Sequence, residues 1–284
     1  QNPSTAPRKF TQKSVNKGFQ IVGQDVSRKL SAVTKHKFVL KRNMMDFARA
    51  AGKENKEFLE LILQIKDPDP ETTHISKLES EQARVDGVRN EIDKLFAFAD
   101  HLDQLGGQGV NTPFYLMPDF WKNHRFGYDG NVINMQTSKV HRFLAGMANW
   151  NARIELDETV DGGKSLNSFK LRVLEGLGTK TDGAPDQVHL DAWESFYTAP
   201  HIQAALKILQ RISFPVDGKP AVFTTADQIA IAAAIGDNKL HGAEALVALA
   251  TYQNAMESTT PNGDRVTSFT TSLAAEIDGK TNGF

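Results

Sequence analysis

The closing stretch Thr270-Thr271-Ser272-Leu273-Ala274-Ala275-Glu276-Ile277-Asp278-Gly279-Lys280-Thr281-Asn282-Gly283-Phe284 decides how the rest of the chain is read. Its small and β-branched residues lead to one acid followed at once by glycine. Residues 266–277 alternate through Phe269, Thr271, Leu273, Ala275 and Ile277, which predicts a strand that delivers Asp278 at its end. An aspartate leaving a strand, with glycine next so that the backbone carbonyl is uncovered, can offer a hard divalent cation one carboxylate and one carbonyl oxygen. Such a ligand pair is half of a two-metal phosphoryl-transfer site. The competing reading takes Asp278-Gly279 and Asn282-Gly283 as tight-turn dipeptides and nothing more.

Composition bounds the rest. A chain of 284 residues, 40% hydrophobic and 24% charged, can bury one large core or two smaller ones. No run approaches the roughly 18 apolar residues of a membrane helix, so no membrane segment is expected, and the opening Gln-Asn-Pro-Ser-Thr-Ala-Pro lacks the form of a signal peptide. With no cysteine, disulfides and thiolate zinc sites are excluded. The start at Gln1 suggests a fragment or a processed chain.

The net charge of −1 conceals an asymmetry. Residues 1–42 hold ten Lys or Arg against the single acid Asp25, a balance of +9, which leaves 23 basic against 33 acidic groups and −10 for the remainder. A basic arm of this kind either neutralises phosphates, with the salt dependence that counterion release imposes, or docks on the acidic remainder.

Helical spacing is read over 43–65 in two pieces separated by Gly52, through Met44, Phe47, Ala48 and Ala51 and then Phe58, Leu61, Ile62 and Ile65. Asp67-Pro68-Asp69-Pro70 stops the second. Residues 75–105 read as one long amphipathic helix on Leu78, Val85, Val88, Ile92, Leu95, Ala99 and Leu102. Helical spacing returns over 137–150, 166–177, 190–212 with an interruption at Pro200, 229–235 and 240–256. Thr225-Ala-Asp-Gln228 has the form of a capping box, and Gly236 that of a C-cap. The histidines show no ligand spacing.

Residues 111–149 differ in kind. Aromatic residues alternate there with Lys122, His124, Arg125 and Lys139 around glycines. An arginine on a rigid turn can clamp a phosphate with two donors while aromatics stack bases. A buried aromatic hairpin whose Arg125 satisfies a carboxylate accounts for the same pattern.

Taken together, these residues resemble the single-subunit phage RNA polymerases, and among them the virion-packaged RNA polymerase of short-tailed, Schitoviridae-type phages. Tyr115-Leu116-Met117, Arg125 and Asn134-Met135-Gln136-Thr137-Ser138-Lys139 look like the segment that precedes the catalytic palm in that family. Glu276-Ile277-Asp278-Gly279-Lys280-Thr281-Asn282-Gly283 is similar at every fixed position to the virion enzyme's first catalytic motif, Glu-x-Asp-Gly-x-Thr-Asn-Gly. Two departures stand out: His124 occupies the place of the glycine that precedes the family's arginine, and no second palm aspartate or fingers lysine follows before Phe284.

The resemblance implies an α+β, mostly helical piece of a right-hand polymerase fold. Residues 1–110 would form a basic arm and helical N-terminal region, and 111–284 a palm-associated region ending at the first catalytic motif. It implies DNA-directed RNA synthesis with Mg2+, in which Asp278 binds metal with help from the Gly279 carbonyl. Arg125 would contact the template or the hybrid beside the site, with Lys139 and Asn134 serving the same backbone. The implied partners are template DNA, nascent RNA, ribonucleoside triphosphates, and the rest of the polymerase polypeptide or a second subunit. The implied location is the phage virion or the host cytoplasm after infection. Two other classes stand beside it: a catalytically inactive virion structural or ejection protein that binds DNA, and an unrelated helical domain that uses its basic arm on nucleic acid.

Overall fold

The computed structural model describes residues 35–52, 56–105, 111–120, 126–129, 132–134, 138–149, 151–180, 184–213 and 221–273. These are mostly helical with a few short strands, an α+β arrangement in two compact units, Gln1–Trp150 with Pro220–Val222 and Asn151–Lys219 with Phe223–Phe284. The functional boundary expected at residue 110 lies within the first unit.

The first unit is built around a short strand. β1 (Phe38–Leu40) pairs antiparallel with β4 (Ala145–Met147), Phe38 opposite Met147 and Leu40 opposite Ala145. The other edge of Phe38 exchanges backbone hydrogen bonds with Phe114, N–H to O at 2.9 and 2.8 Å. Three alternating residues suffice because both neighbours are fixed by the core: Phe38 and Leu40 are buried, and Phe38 stacks on Phe114 with ring centroids 6.2 Å apart.

Helix α1 (Arg42–Gly52) buries Met44, Met45, Phe47, Ala48 and Ala51, and Phe47 meets Phe143 edge-on at 6.5 Å. It ends at Gly52, where a Cβ would come within 2.7 Å of Leu59 Cδ2, so the glycine lets α2 (Lys56–Ile62) pack closely against it. α3 (Ile75–Gln104) runs 30 residues, about 45 Å at the helical rise, yet buries only Val85, Ile92, Leu95, Ala99 and Leu102. That stripe is too narrow to hold a helix of this length by apolar area alone, and ion pairs supplement it. Arg89 forks onto Glu60 at 2.8 and 2.8 Å and onto Asp67 at 2.7 and 3.0 Å, and Arg49 reaches Asp100 and Asp103 at 2.8 and 2.9 Å. The Arg89 hydrogen bond holds the Asp67 carboxyl below the usual carboxylate range. The start of α3 is capped by His74, whose Nδ1 accepts from Ser76 N–H at 3.3 Å.

Residues 111–149 contain a hairpin, as the structural alternative for that stretch expects: β2 (Met117–Phe120) pairs antiparallel with β3 (Phe126–Asp129), placing Asp119 opposite Gly127. The helix expected over 137–150 is shorter. α4 (Lys139–Leu144) gives way at Ala145 to extended backbone, because Lys41 N–H bonds to Leu144 O and Ala148 N–H to Lys37 O, both at 2.8 Å, and draw the chain into β4.

In the second unit α11 (Lys239–Glu257) is buried along most of its length. Packed on it are α6 (Lys164–Gly176), α9 (Pro200–Ser213), α10 (Thr225–Ile235) and β6 (Ser268–Thr271), the last paired antiparallel with β5 (Ala152–Glu155). A Cβ at Gly242 would lie 2.8 Å from Ile235 O, and one at Gly176 would lie 2.6 Å from Ala245 Cβ, so glycine sets the spacing of α11 from α10 and α6. An aromatic cluster closes this core. Trp193 of α8 (Trp193–Tyr197) stacks on Tyr197 at 5.9 Å, Tyr252 meets Trp193 and Phe269, and Phe269 meets Phe169 edge-on at 5.2 Å.

Smaller helices complete the layer. α5 (Glu158–Asp161) is capped by Asp157 and followed by left-handed Gly162 and Gly163, and α7 (Asp186–Asp191) precedes α8. Pro200 stands at the first position of α9, where its missing N–H costs nothing, rather than inside a longer helix. The capping box on α10 is formed by Thr224 and Asp227, one residue before the predicted pair, and Asp227 also accepts from Arg211 at 2.6 Å. The strand predicted over 266–277 is present as Ser268–Thr271, with Ser272 and Leu273 beyond its end and 274–277 outside the described residues.

Candidate nucleic-acid interface

Of the residues expected to carry function, Asn134 and Lys139 are described, while Arg125, Asp278 and Gly279 lie outside the described residues. In chain order Arg125 falls in the connection between β2 and β3, and Asp278 follows the end of β6 by seven positions. Asn134 and Lys139 belong to the first compact unit.

Asn134 sits at the centre of a short lock between the hairpin and α4. Its Nδ2 donates to Tyr128 O of β3 at 3.0 Å, its backbone N–H donates to His141 Nδ1 at 2.8 Å, and its carbonyl accepts from Ser138 N–H at 3.2 Å. Ser138 then serves as N-cap of α4, its hydroxyl accepting from His141 N–H at 3.4 Å. Lys139, the first residue of α4, is exposed, and Lys41 Nζ donates to Arg142 O at 3.1 Å near the other end. The result is a helix start held by several hydrogen bonds, with an exposed lysine at its edge. A cation held this way can contact a phosphate without ordering a loop first.

The side-chain amide of Asn134 is therefore occupied with backbone. Sequence spacing missed His141, which is 2% exposed. Burial pushes its pKa down, against the opposing effects of the Asn134 backbone and Glu91, so the ring is neutral at neutral pH. The available signal was Ser138 three residues before it, the N-cap spacing, which says where the helix starts but not that the imidazole turns back to Asn134. Burial also raises Tyr128, which keeps that phenol neutral.

Elsewhere the described residues offer less. No three His, Asp or Glu side chains among them gather closely enough to hold a metal ion. A shallow cleft of about 370 Å³ in the second unit is lined by Lys207, Gln210, Arg211, Asn254, Glu257 and Ser258. Several of its polar groups are already engaged, Gln210 donating to Glu257, which also accepts from Gln253, and Arg211 donating to Asp227. No described helix is long and apolar enough to cross a membrane.

No curated protein sequence matches the chain. Residues 25–145 match a family model described as the virion DNA-directed RNA polymerase domain. The match runs from before β1 to the first residue of β4, and so contains Arg125, Asn134 and Lys139 and stops well before Asp278. Over residues 25–145 the chain is similar to the virion DNA-directed RNA polymerase domain, which supports a relation to the phage virion RNA polymerase family.

Proposed function

We propose that this chain is the part of a phage virion RNA polymerase that carries the nucleic-acid-contacting segment before the palm together with the first palm motif, within a right-hand polymerase fold. The observation that carries the reading is the family match over 25–145 enclosing Arg125, Asn134 and Lys139, with the last two held on a fixed helix start. The reaction is attack of a nascent RNA 3′ hydroxyl on the α-phosphate of a ribonucleoside triphosphate, with pyrophosphate leaving. Asp278, through its carboxylate, and Gly279, through its carbonyl, are a hard-oxygen pair of the type magnesium prefers. Magnesium bound there would supply charge stabilisation on the reacting phosphoryl oxygens. Arg125 and Lys139 hold the template or hybrid backbone, contacts that position nucleic acid without reading its sequence.

Primer extension tests the reading, run with magnesium on this chain alone and on the complete polymerase polypeptide. This chain supplies one half of a two-metal site, so extension is expected from the complete polypeptide only. A complete polypeptide that binds DNA and never extends a primer would reject catalysis and leave a DNA-binding virion protein.

Arg125→Ala is expected to weaken binding of a DNA–RNA template–primer hybrid by about 1.5–3 kcal/mol, the range for hydrogen bonds to charged groups, as read by fluorescence anisotropy. Unchanged affinity would remove Arg125 from the interface.

The basic arm needs a different deletion from the one its charge suggests. Removing residues 1–42 would take out β1, whose Phe38 and Leu40 are core. Of the four basic groups at 35–42, Lys41 bonds to Arg142 O and Arg42 lies 3.9 Å from Asp103. Deleting residues 1–34 removes six basic groups and leaves β1 in place. The slope of log affinity against log salt is expected to become shallower, by at most about 5. An unchanged slope would mean that the arm touches no phosphate.

A further inference from the structure

We propose that His141 is a positioning residue for the nucleic-acid contact of Asn134 and Lys139, its imidazole holding the Asn134 backbone in one setting when neutral and in another when protonated. The inference rests on the reading of Asn134 and Lys139 as part of that contact.

The geometry is specific to one tautomer. His141 Nδ1 lies 2.8 Å from the Asn134 nitrogen and 3.3 Å from the Asn134 oxygen. A backbone N–H can donate to Nδ1 only if that nitrogen keeps its lone pair, so the neutral ring carries its hydrogen on Nε2. Nε2 is buried and has no hydrogen-bond partner. A histidine kept for packing alone would leave no polar donor orphaned, because a buried donor without a partner costs about 1–3 kcal/mol and an apolar ring would avoid it. The Nδ1 acceptor is thus the feature of this residue that an apolar replacement could not supply.

Protonation removes that acceptor. With hydrogen on both nitrogens, Nδ1 can no longer receive the Asn134 N–H and turns instead to the Asn134 oxygen. That oxygen already accepts at 3.2 Å from the N–H of Ser138, the N-cap of α4. One proton therefore exchanges the partner on Asn134 and competes with the Ser138 N–H that precedes Lys139 at the start of α4.

From α3, Glu91 acts on the ring and favours the charged form. On α4 itself Lys139 and Arg142 are exposed. On α1, Arg42 and Arg49 act on Asp46, as does Asp103 of α3, while Arg49 also pairs with Asp100 and Asp103. Burial holds the ring neutral, so the neutral setting is fully present above about pH 6.5 and is lost as pH falls below it, through the lowered folded-state value.

The experiment uses the full chain with a DNA–RNA template–primer hybrid. Affinity is measured from about pH 7.5 downward to the acid limit at which the chain stays folded, because burial places protonation of His141 below the ordinary histidine range of about 6.5. The wild type is expected to lose roughly threefold to tenfold in affinity on acidification, the scale of about one hydrogen bond. His141→Asn places an amide oxygen near the Nδ1 position and cannot titrate, so it should bind like wild type at neutral pH and lose the acid-dependent step. His141→Leu should bind weakly at every pH. In 15N NMR the Asn134 amide should move with the His141 ring as it titrates.

An Asn variant that follows the wild-type pH profile, or an Asn134 amide that ignores the ring, overturns the proposal. If the Leu variant fails to fold, the Asn variant and the amide titration still decide it. Lys139→Ala separates the two levels. Unchanged affinity in that variant would reject the nucleic-acid role of the segment, and the Asn134 amide would decide the latch by itself.

Discussion

Asp278→Asn in the complete polymerase is expected to stop nucleotide addition while leaving template binding at its wild-type affinity. The change keeps the size and the polar atoms of the side chain and removes its charge. A hard cation binds carboxylate far better than a neutral amide oxygen, so on the proposed role of Asp278 the substitution would delete a metal ligand without touching a phosphate contact. Losing a preorganised group that stabilises developing charge costs roughly a hundredfold to a thousandfold in rate, and a metal ligand stands at or above the upper end. Single-turnover extension with saturating nucleotide measures the rate, and anisotropy with the same template measures binding. Extension at the wild-type rate would reject Asp278 as a ligand. A parallel loss of binding would mean that the residue supports structure instead.

Trp193→Ala is expected to destabilise the second unit by about 3–5 kcal/mol, the range for truncating a buried aromatic side chain to alanine. Trp193 is 5% exposed and lies almost parallel to Tyr197, 6° between planes, with Tyr252 edge-on at 6.1 Å and Phe196 at 5.9 Å. Lys170 Nζ lies 5.9 Å from its ring centroid. The loss combines buried area, a cavity that three rigid rings cannot collapse to fill, and aromatic pairs worth about 0.5–1.5 kcal/mol each beyond area. Urea unfolding followed by circular dichroism, with hydrogen exchange in α6, α8 and α11, reads the effect. A loss under about 1 kcal/mol would show that the cluster is not the seat of this unit's stability.

How much was legible in the sequence depended on whether the deciding contacts were local. α3 could be read almost to the residue, because its apolar stripe at threes and fours is a property of the segment itself. β4 could not. Ala145-Gly146-Met147 shows no alternation, and it becomes a strand only because β1, over a hundred positions earlier, presents backbone to it. The capping box was misplaced by one residue because Thr224-x-x-Asp227 and Thr225-x-x-Gln228 both satisfy the pattern. Arg211, sixteen positions before Asp227, adds a partner to the first that the second lacks. Around the candidate interface, the aromatic pattern announced a hairpin and the Asn134–Lys139 segment announced itself by resemblance. The imidazole linking Asn134 to α4 carried no such mark, since a lone histidine at the end of a helical pattern has many uses.

The narrow seat of α3 bears on how the nucleic-acid contacts can be measured. Arg49 and Arg89 fasten that helix through carboxylates at the surface, whose attraction is screened as the Debye length falls to about 3 Å in molar salt. Ionic strength therefore acts twice on this protein, once on any phosphate it holds and once on the long helix of the unit that carries Asn134 and Lys139. Below the point where α3 loosens, a salt titration reports counterions released from the nucleic acid. Above it, the same curve would steepen without a single additional phosphate contact, and the ellipticity of the unbound chain marks where one regime passes into the other.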